Sequence, residues 1–210
     1  MTDDLKRPQL RAIQYFYVDG SFEFGFGLLC LILAVFFYAE THVHGWLSVI
    51  VDSSLVLVMI GGAWLINRLI KKLKEQITWP RTGYVTYNRQ EGYKRGWRVA
   101  LGMISGGLVA ATVAVLVTIP GIHVAMMPLL SGFLLGIVMV VLGLRARLMR
   151  FYLLAGLSTL AGILMGYSGM ENILALAVYY LIFGLLLFAT GTWVLRVYLR
   201  QNPATVDERP

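Results

Sequence analysis

Long apolar blocks alternate with shorter polar connections along this chain. A helix that crosses a bilayer needs about 20 mostly apolar residues, and six blocks meet that requirement. They run over Phe22–Ala39, Trp46–Ile66, Trp97–Ile119, Val124–Leu144, Phe151–Met170 and Ile173–Leu195. The pattern therefore predicts an all-α integral membrane protein, a bundle of six transmembrane helices.

The connections between these blocks alternate in charge. Residues 40–45, 120–123 and 171–172 form short connections without Lys or Arg. The N-terminal segment, the connection 67–96, the connection 145–150 and the C-terminal tail are counted with the helix ends that they adjoin. They contain three, nine, three and three basic residues, which are all 18 in the protein. Because basic residues near helix ends are retained in the cytoplasm, we expect both termini to be cytoplasmic.

This topology divides the chain into three helical hairpins and three polar parts. The hairpins are 22–66, 97–144 and 145–200, the last including a basic helix end. The polar parts are a cytoplasmic or interfacial N-terminal segment (1–21), a basic amphipathic extension with a cytoplasmic loop (67–96), and a polar tail (201–210). A repeat of residues 59–65 at 188–194 suggests parallel repeats of the hairpins. The alternative, which we favour, is that Gly, Trp and basic ends recur in any such helix.

The connection 67–96 contains two kinds of structure. Leu69, Ile70 and Leu73 continue the helical spacing beyond the membrane, with basic residues between them, which predicts a helix near the headgroups. Pro80 should end this helix. The segment Tyr84–Tyr87 then has the pattern of a short strand.

Composition supports the membrane class and excludes others. Apolar residues make up 58% of the chain and charged residues 14%, against about 25% charged in soluble domains. The net charge of +7 follows the membrane topology, so we expect no nucleic-acid partner. One cysteine, Cys30, excludes an intrachain disulfide. The sequence contains no nucleophile, metal or phosphate-loop motif, so we predict no catalytic residue, no metal and no cofactor.

Asp52 is the most unusual residue for its position. It lies roughly 9 Å inside the outer end of its helix, where a carboxylate is costly. Together with Ser53 and Ser54 it is a candidate proton- or cation-binding site. The alternative is a hydrated polar residue near the outer interface.

Other acidic residues fall at the ends of the helices. Asp19 and Glu23 lie at the cytoplasmic start of the first helix, opposite the nine basic residues of the first inner connection, and we expect ion pairs with them. On the outer side, imidazoles and carboxylates form a weak candidate for a metal or pH-sensing site. Its members are His42, His44, His123, Glu40 and Glu171. The alternative is that these are solvated loop residues.

The inner connection is a candidate site for anions such as acidic lipid headgroups. Its basic members are Lys71, Lys72, Arg81, Arg89, Lys94 and Arg95. Retention of positive charge in the cytoplasm explains these charges as well. It does not explain the order Trp-Pro-Arg-Thr-Gly-Tyr at 79–84, and a loop of this length is a functional candidate.

Small residues recur four positions apart in several helices. They are Gly102 and Gly106, Gly132 and Gly136, and Ser158, Gly162 and Gly166. This spacing lets helix backbones approach closely, either within the bundle or between copies.

The segment Trp79–Val85 resembles one found in uncharacterised bacterial membrane proteins of this size. The last two hairpins are similar in hydropathy to HdeD-type bacterial membrane proteins. These resemblances imply the bacterial inner membrane and no particular site residue. We therefore expect a non-enzymatic subunit that assembles with itself or with another membrane protein, in contact with anionic lipids. The alternative is a small transporter or channel that uses Asp52, and a lipid-modifying enzyme is a third, weaker hypothesis.

Overall fold

The structure is a computed structural model that describes residues 17–43, 45–75 and 126–201, without the side chains of residues 48, 49, 52, 56 and 63. It contains five long helices. They are α1 (Ser21–Glu40), α2 (Trp46–Leu73), α3 (Met127–Ala146), α4 (Met149–Gly166) and α5 (Asn172–Gln201). By length and composition, each of the five contains a segment able to cross a membrane. The all-α class is confirmed, and the predicted helix Trp97–Ile119 and strand Tyr84–Tyr87 lie outside these ranges.

The helix ends differ from the predicted ones where local chemistry decides them. The helical extension is confirmed to Leu73, since α2 does not stop at the apolar boundary. The predicted end of α4 at Met170 is wrong. The helix ends at Gly166, and Gly169 then turns the chain with a φ of +70°. In α3, Pro128 lies in the first turn. Its missing N–H costs no hydrogen bond there, because the first N–H groups of a helix have no partner within the helix.

Helices α1 and α5 pack backbone to backbone. A Cβ atom placed on Gly27 would lie 2.7 Å from the backbone nitrogen of Phe188, and one on Gly184 would lie 3.0 Å from that of Leu31. Gly191 likewise packs against the backbone of Phe24. The contacts run in opposite directions along the two helices, so α1 and α5 are antiparallel neighbours.

Helices α3 and α4 approach each other in the same way. A Cβ on Gly132 would lie 2.7 Å from the Cα of Gly162, and one on Gly136 would lie 2.6 Å from the Thr159 hydroxyl. Small residues at this spacing therefore serve packing within the bundle, which was one of the two predicted alternatives. Gly102 and Gly106 lie outside the residues that the structure describes.

Helix α2 joins the bundle along one side of α1. Ile66 and Ile70 are buried with Leu29, and a Cβ on Gly25 would lie 2.5 Å from the Ile70 side chain. As α2 also runs antiparallel to α1, the start of α1 lies beside the end of α2. The described Lys and Arg residues then all fall at one end of the bundle, which we name the basic end. They are Arg68, Lys71, Lys72, Lys74, Arg145, Arg147, Arg150, Arg196 and Arg200.

Candidate functional site

Three charged side chains are buried in the described part of the protein, and all three lie at the basic end. Asp19 is 1% exposed, Glu23 is 0% exposed and Lys74 is 6% exposed. They come from the start of α1 and from the residue after α2. Lys74 pairs with Asp19, and Arg150, in the first turn of α4, pairs with Glu23. We name these four residues the charge cluster.

Asp19 joins the chain before α1 to the end of α2. Its Oδ2 lies 3.5 Å from the Lys74 amine. Its Oδ1 accepts hydrogen bonds from the Ser21 backbone N–H at 3.1 Å and from the Ser21 hydroxyl at 2.7 Å. Asp19 therefore both neutralises a buried amine and caps an otherwise unsatisfied N–H at the start of α1.

Gly20 makes this arrangement sterically accessible. Its φ is +73°, and a Cβ at this position would lie 2.7 Å from the Gly191 carbonyl oxygen. A left-handed conformation is open to glycine at little cost. The turn at Gly20 thus places Asp19 before the first turn of α1 while α5 passes directly beside it.

Glu23 and Arg150 form the second pair, between α1 and α4. The Arg150 Nε lies 2.6 Å from Glu23 Oε1. Glu23 is 0% exposed, so the Arg150 guanidinium provides the counter-charge for a fully buried carboxylate. Arg150 also donates to the Tyr17 carbonyl oxygen. One guanidinium therefore connects α4 to both the first turn of α1 and the chain before it.

Aromatic rings pack beside this second pair. The Tyr17 ring lies 5.2 Å from that of Phe22 and 5.8 Å from that of Phe151, both edge to face. The Arg150 guanidinium lies over Phe151 at 5.4 Å. The face of the Phe151 ring stabilises the positive charge of Arg150. The packed rings limit the access of water to the ion pair.

Burial also changes the proton affinity of the groups at this end. Desolvation lowers the pKa of the Lys74 amine, and the neighbouring Asp19 carboxylate opposes that shift. Desolvation raises the pKa of the Tyr17 hydroxyl, against the opposing charge of Arg145. In both cases burial outweighs the nearby charge, because an ionised group loses its hydration.

The expected ion pairs of Asp19 and Glu23 form, with one correction. Asp19 pairs with Lys74 of the first inner connection, as the charge pattern predicted. Glu23 instead pairs with Arg150, from the second inner connection. The reason is the close packing of α1 with the last helices, which sequence spacing alone does not define.

The predicted site at Asp52, Ser53 and Ser54 is described only in part. The Asp52 side chain lies outside the description. The Ser54 hydroxyl donates to the Val51 carbonyl oxygen of its own helix at 2.7 Å, and Ser53 is exposed. The hydroxyl of Ser54 is therefore used locally rather than between helices.

At the opposite end, His42 takes part in ending α1. Its Nδ1 lies 2.9 Å from the Thr41 hydroxyl and 3.0 Å from the Tyr38 carbonyl oxygen. His44 and His123 lie outside the description. Within it, no group of three His, Cys, Asp or Glu side chains is arranged for a metal ion. The geometry that is described gives His42 a role at a helix end.

The predicted anion-binding residues are described only in part. Lys71 and Lys72 are exposed near the end of α2, while Arg81, Arg89, Lys94 and Arg95 lie outside the described ranges. The Lys71 amine lies 3.7 Å from Glu75, one helical turn further along.

One buried polar contact was not predicted from the sequence. The Ser158 hydroxyl donates to the Gly132 carbonyl oxygen at 3.1 Å and lies 2.9 Å from the Tyr179 hydroxyl. It joins α3, α4 and α5 inside the bundle. Ser158 was identified only as a small residue, and nothing in the local sequence indicates that Tyr179 would face it.

Together these features define an α-helical bundle with a buried charge cluster at one end, whose five described helices are long and apolar enough to cross a membrane, as in multi-span membrane proteins. Comparison of the chain with protein-family models, with curated proteins and with solved structures finds no match.

Proposed function

We propose that this protein is a non-enzymatic subunit of the bacterial inner membrane that assembles with a second copy of itself through α2. The uneven burial of the helices is the observation that carries the proposal. In the most apolar stretch of α2, 12% of the residues are buried, against 28% to 39% in the corresponding stretches of the other four helices. Among the five described helices, α2 therefore has the smallest share of its apolar stretch buried by the described part of the bundle.

The face of α2 that points away from α1 suits close helix packing. Gly61 lies on it, and a Cβ there would meet no atom of the described residues within 4 Å. Leu57 and Leu65, four residues to either side, are 72% and 45% exposed. In lipid, a small residue between larger ones lets a second helix approach its backbone. The same type of contact holds α1 to α5 and α3 to α4.

The charge cluster supports a structural role over a catalytic one. Its two acids and two bases pair with each other, and three of the four residues are buried, so these charges are used in contacts within the bundle. The cluster connects α1, α2 and α4 at the basic end. Because basic residues are retained in the cytoplasm, we assign this end and both termini to the cytoplasmic side.

A carrier that uses Asp52 is less well supported. Carriers often bind ions where a helix is interrupted, whereas α2 runs as one helix from Trp46 to Leu73. Ser54, the neighbour expected to share such a site, donates to its own helix. We therefore favour the assembly function over the transport function.

Cysteine crosslinking tests the assembly. Gly61 and Gly156 are matched, since both are exposed helical glycines with open space around them. After removal of the native thiol by Cys30→Ser, we expect Gly61→Cys to form a disulfide-linked dimer in oxidised membranes. Gly156→Cys, on α4, is the control and should stay monomeric. Equal yields at both positions, or no dimer at Gly61→Cys, would refute assembly through α2.

A further inference from the structure

The two faces of α2 differ sharply where it reaches the basic end. Ile66, Ile70 and Lys74 recur every four residues and are buried against the bundle. Trp64, Arg68 and Lys72, displaced by two positions, recur every four residues on the opposite side and are exposed. A shift of two positions turns a side chain to the opposite face of a helix. Here that is the face turned away from α1 and exposed in the described part of the bundle.

The depth of this exposed face follows from two tryptophans. Trp46 and Trp64 are 73% and 62% exposed. They are 18 positions apart in one helix, which corresponds to about 27 Å of rise. The hydrocarbon core of a bilayer is about 30 Å thick and its two boundaries favour tryptophan. Trp64 therefore lies at one boundary, and Arg68 and Lys72 follow at the level of the headgroups.

The basic side chains on this face are arranged to bind an anion. The Arg68 guanidinium lies over the Trp64 ring at 5.4 Å, which limits its motion and keeps it at the boundary. Within the described ranges, Arg68 and Lys72 form no ion pair, while the Lys71 amine is shared with Glu75. A planar guanidinium and a nearby amine match the oxygens of a phosphate group.

We infer that Trp64, Arg68 and Lys72 form a binding site for the phosphate of an anionic phospholipid. The site is lateral, on the lipid-facing side of α2, where a phospholipid headgroup is presented to it at the right depth. This position distinguishes it from a general excess of cytoplasmic positive charge.

Lipid binding at this site bears on assembly without depending on it. Two copies that meet through α2 bring Arg68 of one copy near the same residue of the other. A bound phosphate lowers the repulsion between them. The binding itself uses side chains of one chain, so a monomeric protein would still bind the lipid. Failure of crosslinking at residue 61 and failure of lipid binding are therefore separate results.

The test is a titration of the purified full chain, in bicelles of phosphatidylcholine, with phosphatidylglycerol. Native mass spectrometry counts the bound lipid. The double variant Arg68→Gln/Lys72→Gln removes the charge-assisted hydrogen bonds that the two side chains would donate to the phosphate, so we expect it to bind at least about tenfold more weakly. Arg196→Gln/Arg200→Gln is the control, because it removes the same charge from exposed positions at the same end, on α5. It should bind as the wild type does.

Three results would overturn the proposal. Equal losses in the two double variants would show general electrostatic attraction. An unchanged affinity in the α2 variant would show that the residues do not bind lipid. Displacement of phosphatidylglycerol by millimolar inorganic phosphate would show a site for soluble phosphate.

Thermal unfolding of every variant is measured alongside. If the double variant fails to fold, the single variant Trp64→Phe, which keeps both charges, replaces it. It should bind severalfold more weakly, and wild-type affinity there would also count against the site.

Discussion

Asp19 has two roles, so it and its partner Lys74 contribute differently to the stability of the fold. One carboxylate oxygen holds the Lys74 amine and the other accepts two hydrogen bonds from Ser21. Lys74 is buried by α2 reaching the start of α1. The acid therefore stabilises the local backbone as well as the pair, while its charge offsets part of the cost of desolvating the Lys74 amine.

The pH dependence of stability should reveal that cost. The pKa of Lys74 is lowered in the folded protein from its ordinary value of 10.5. At pH values between the lowered pKa of Lys74 in the folded protein and its ordinary value of 10.5, the unfolded chain binds more protons than the folded chain. The free energy of unfolding therefore rises with pH in this range. We expect the wild type to gain stability relative to Lys74→Met as the pH is raised toward 10.5, measured by denaturant unfolding in detergent. Lys72→Met removes an exposed amine and should follow the wild type. Parallel pH profiles for all three proteins would contradict this interpretation.

Glycine contacts between helices are the main packing device at the scale of elements. Gly162 in α4 meets Gly132 of α3, whereas Gly156, also in α4, has open space around it. A methyl group at position 162 would force two backbones apart, and overpacking of this kind costs about 1–3 kcal/mol. At position 156 it should stabilise the helix by up to about 1 kcal/mol.

We therefore expect Gly162→Ala to lower the unfolding midpoint and Gly156→Ala to leave it unchanged or raise it. Thermal unfolding of the two variants in the same detergent measures the difference. A loss of equal size in both would mean that the effect belongs to α4 itself and not to its contact with α3.

The positions of the helices could be predicted far better than their partners. Each apolar block that falls within the description became a helix, because a bilayer requires long internally bonded segments. Gly132 and Gly162 were recognisable as close-packing residues from their spacing. Their pairing was not, since spacing defines a face and tertiary packing chooses what covers it. The partner of Glu23 was misassigned for the same reason: Arg150 is distant in sequence and only the α1–α4 approach brings it near.

The repeated segments illustrate the same limit. Gly62 and Gly191 occupy equivalent positions in 59–65 and 188–194, and both pack against α1. Trp64 and Trp193, two residues later, are both exposed. The packing is thus alike in kind, although Gly62 meets a side chain and Gly191 meets backbone. In both helices a glycine packs against α1 and a tryptophan lies on the exposed side. A shared environment in the membrane is sufficient to explain this similarity.

At the scale of the whole molecule, the distribution of charge makes the strongest statement about orientation. The described basic residues all lie at one end, on four different helix ends. Insertion with that end outside would require moving these charges across the bilayer, which the positive-inside rule disfavours. The charge cluster lies at the same end, so the orientation also decides which compartment its three helix ends face.

Labelling with a membrane-impermeant maleimide tests that orientation in intact bacterial cells. Ser168 and Gln201 are exposed at opposite ends of α5 and its preceding turn, while the native Cys30 is buried. In a Cys30→Ser background, we expect Ser168→Cys to be labelled from outside and Gln201→Cys only after the membrane is permeabilised. The unmodified protein should stay unlabelled in both conditions, because its thiol lies in the core. Labelling of Gln201→Cys in intact cells would place the basic end outside and overturn the assignment of the termini to the cytoplasm.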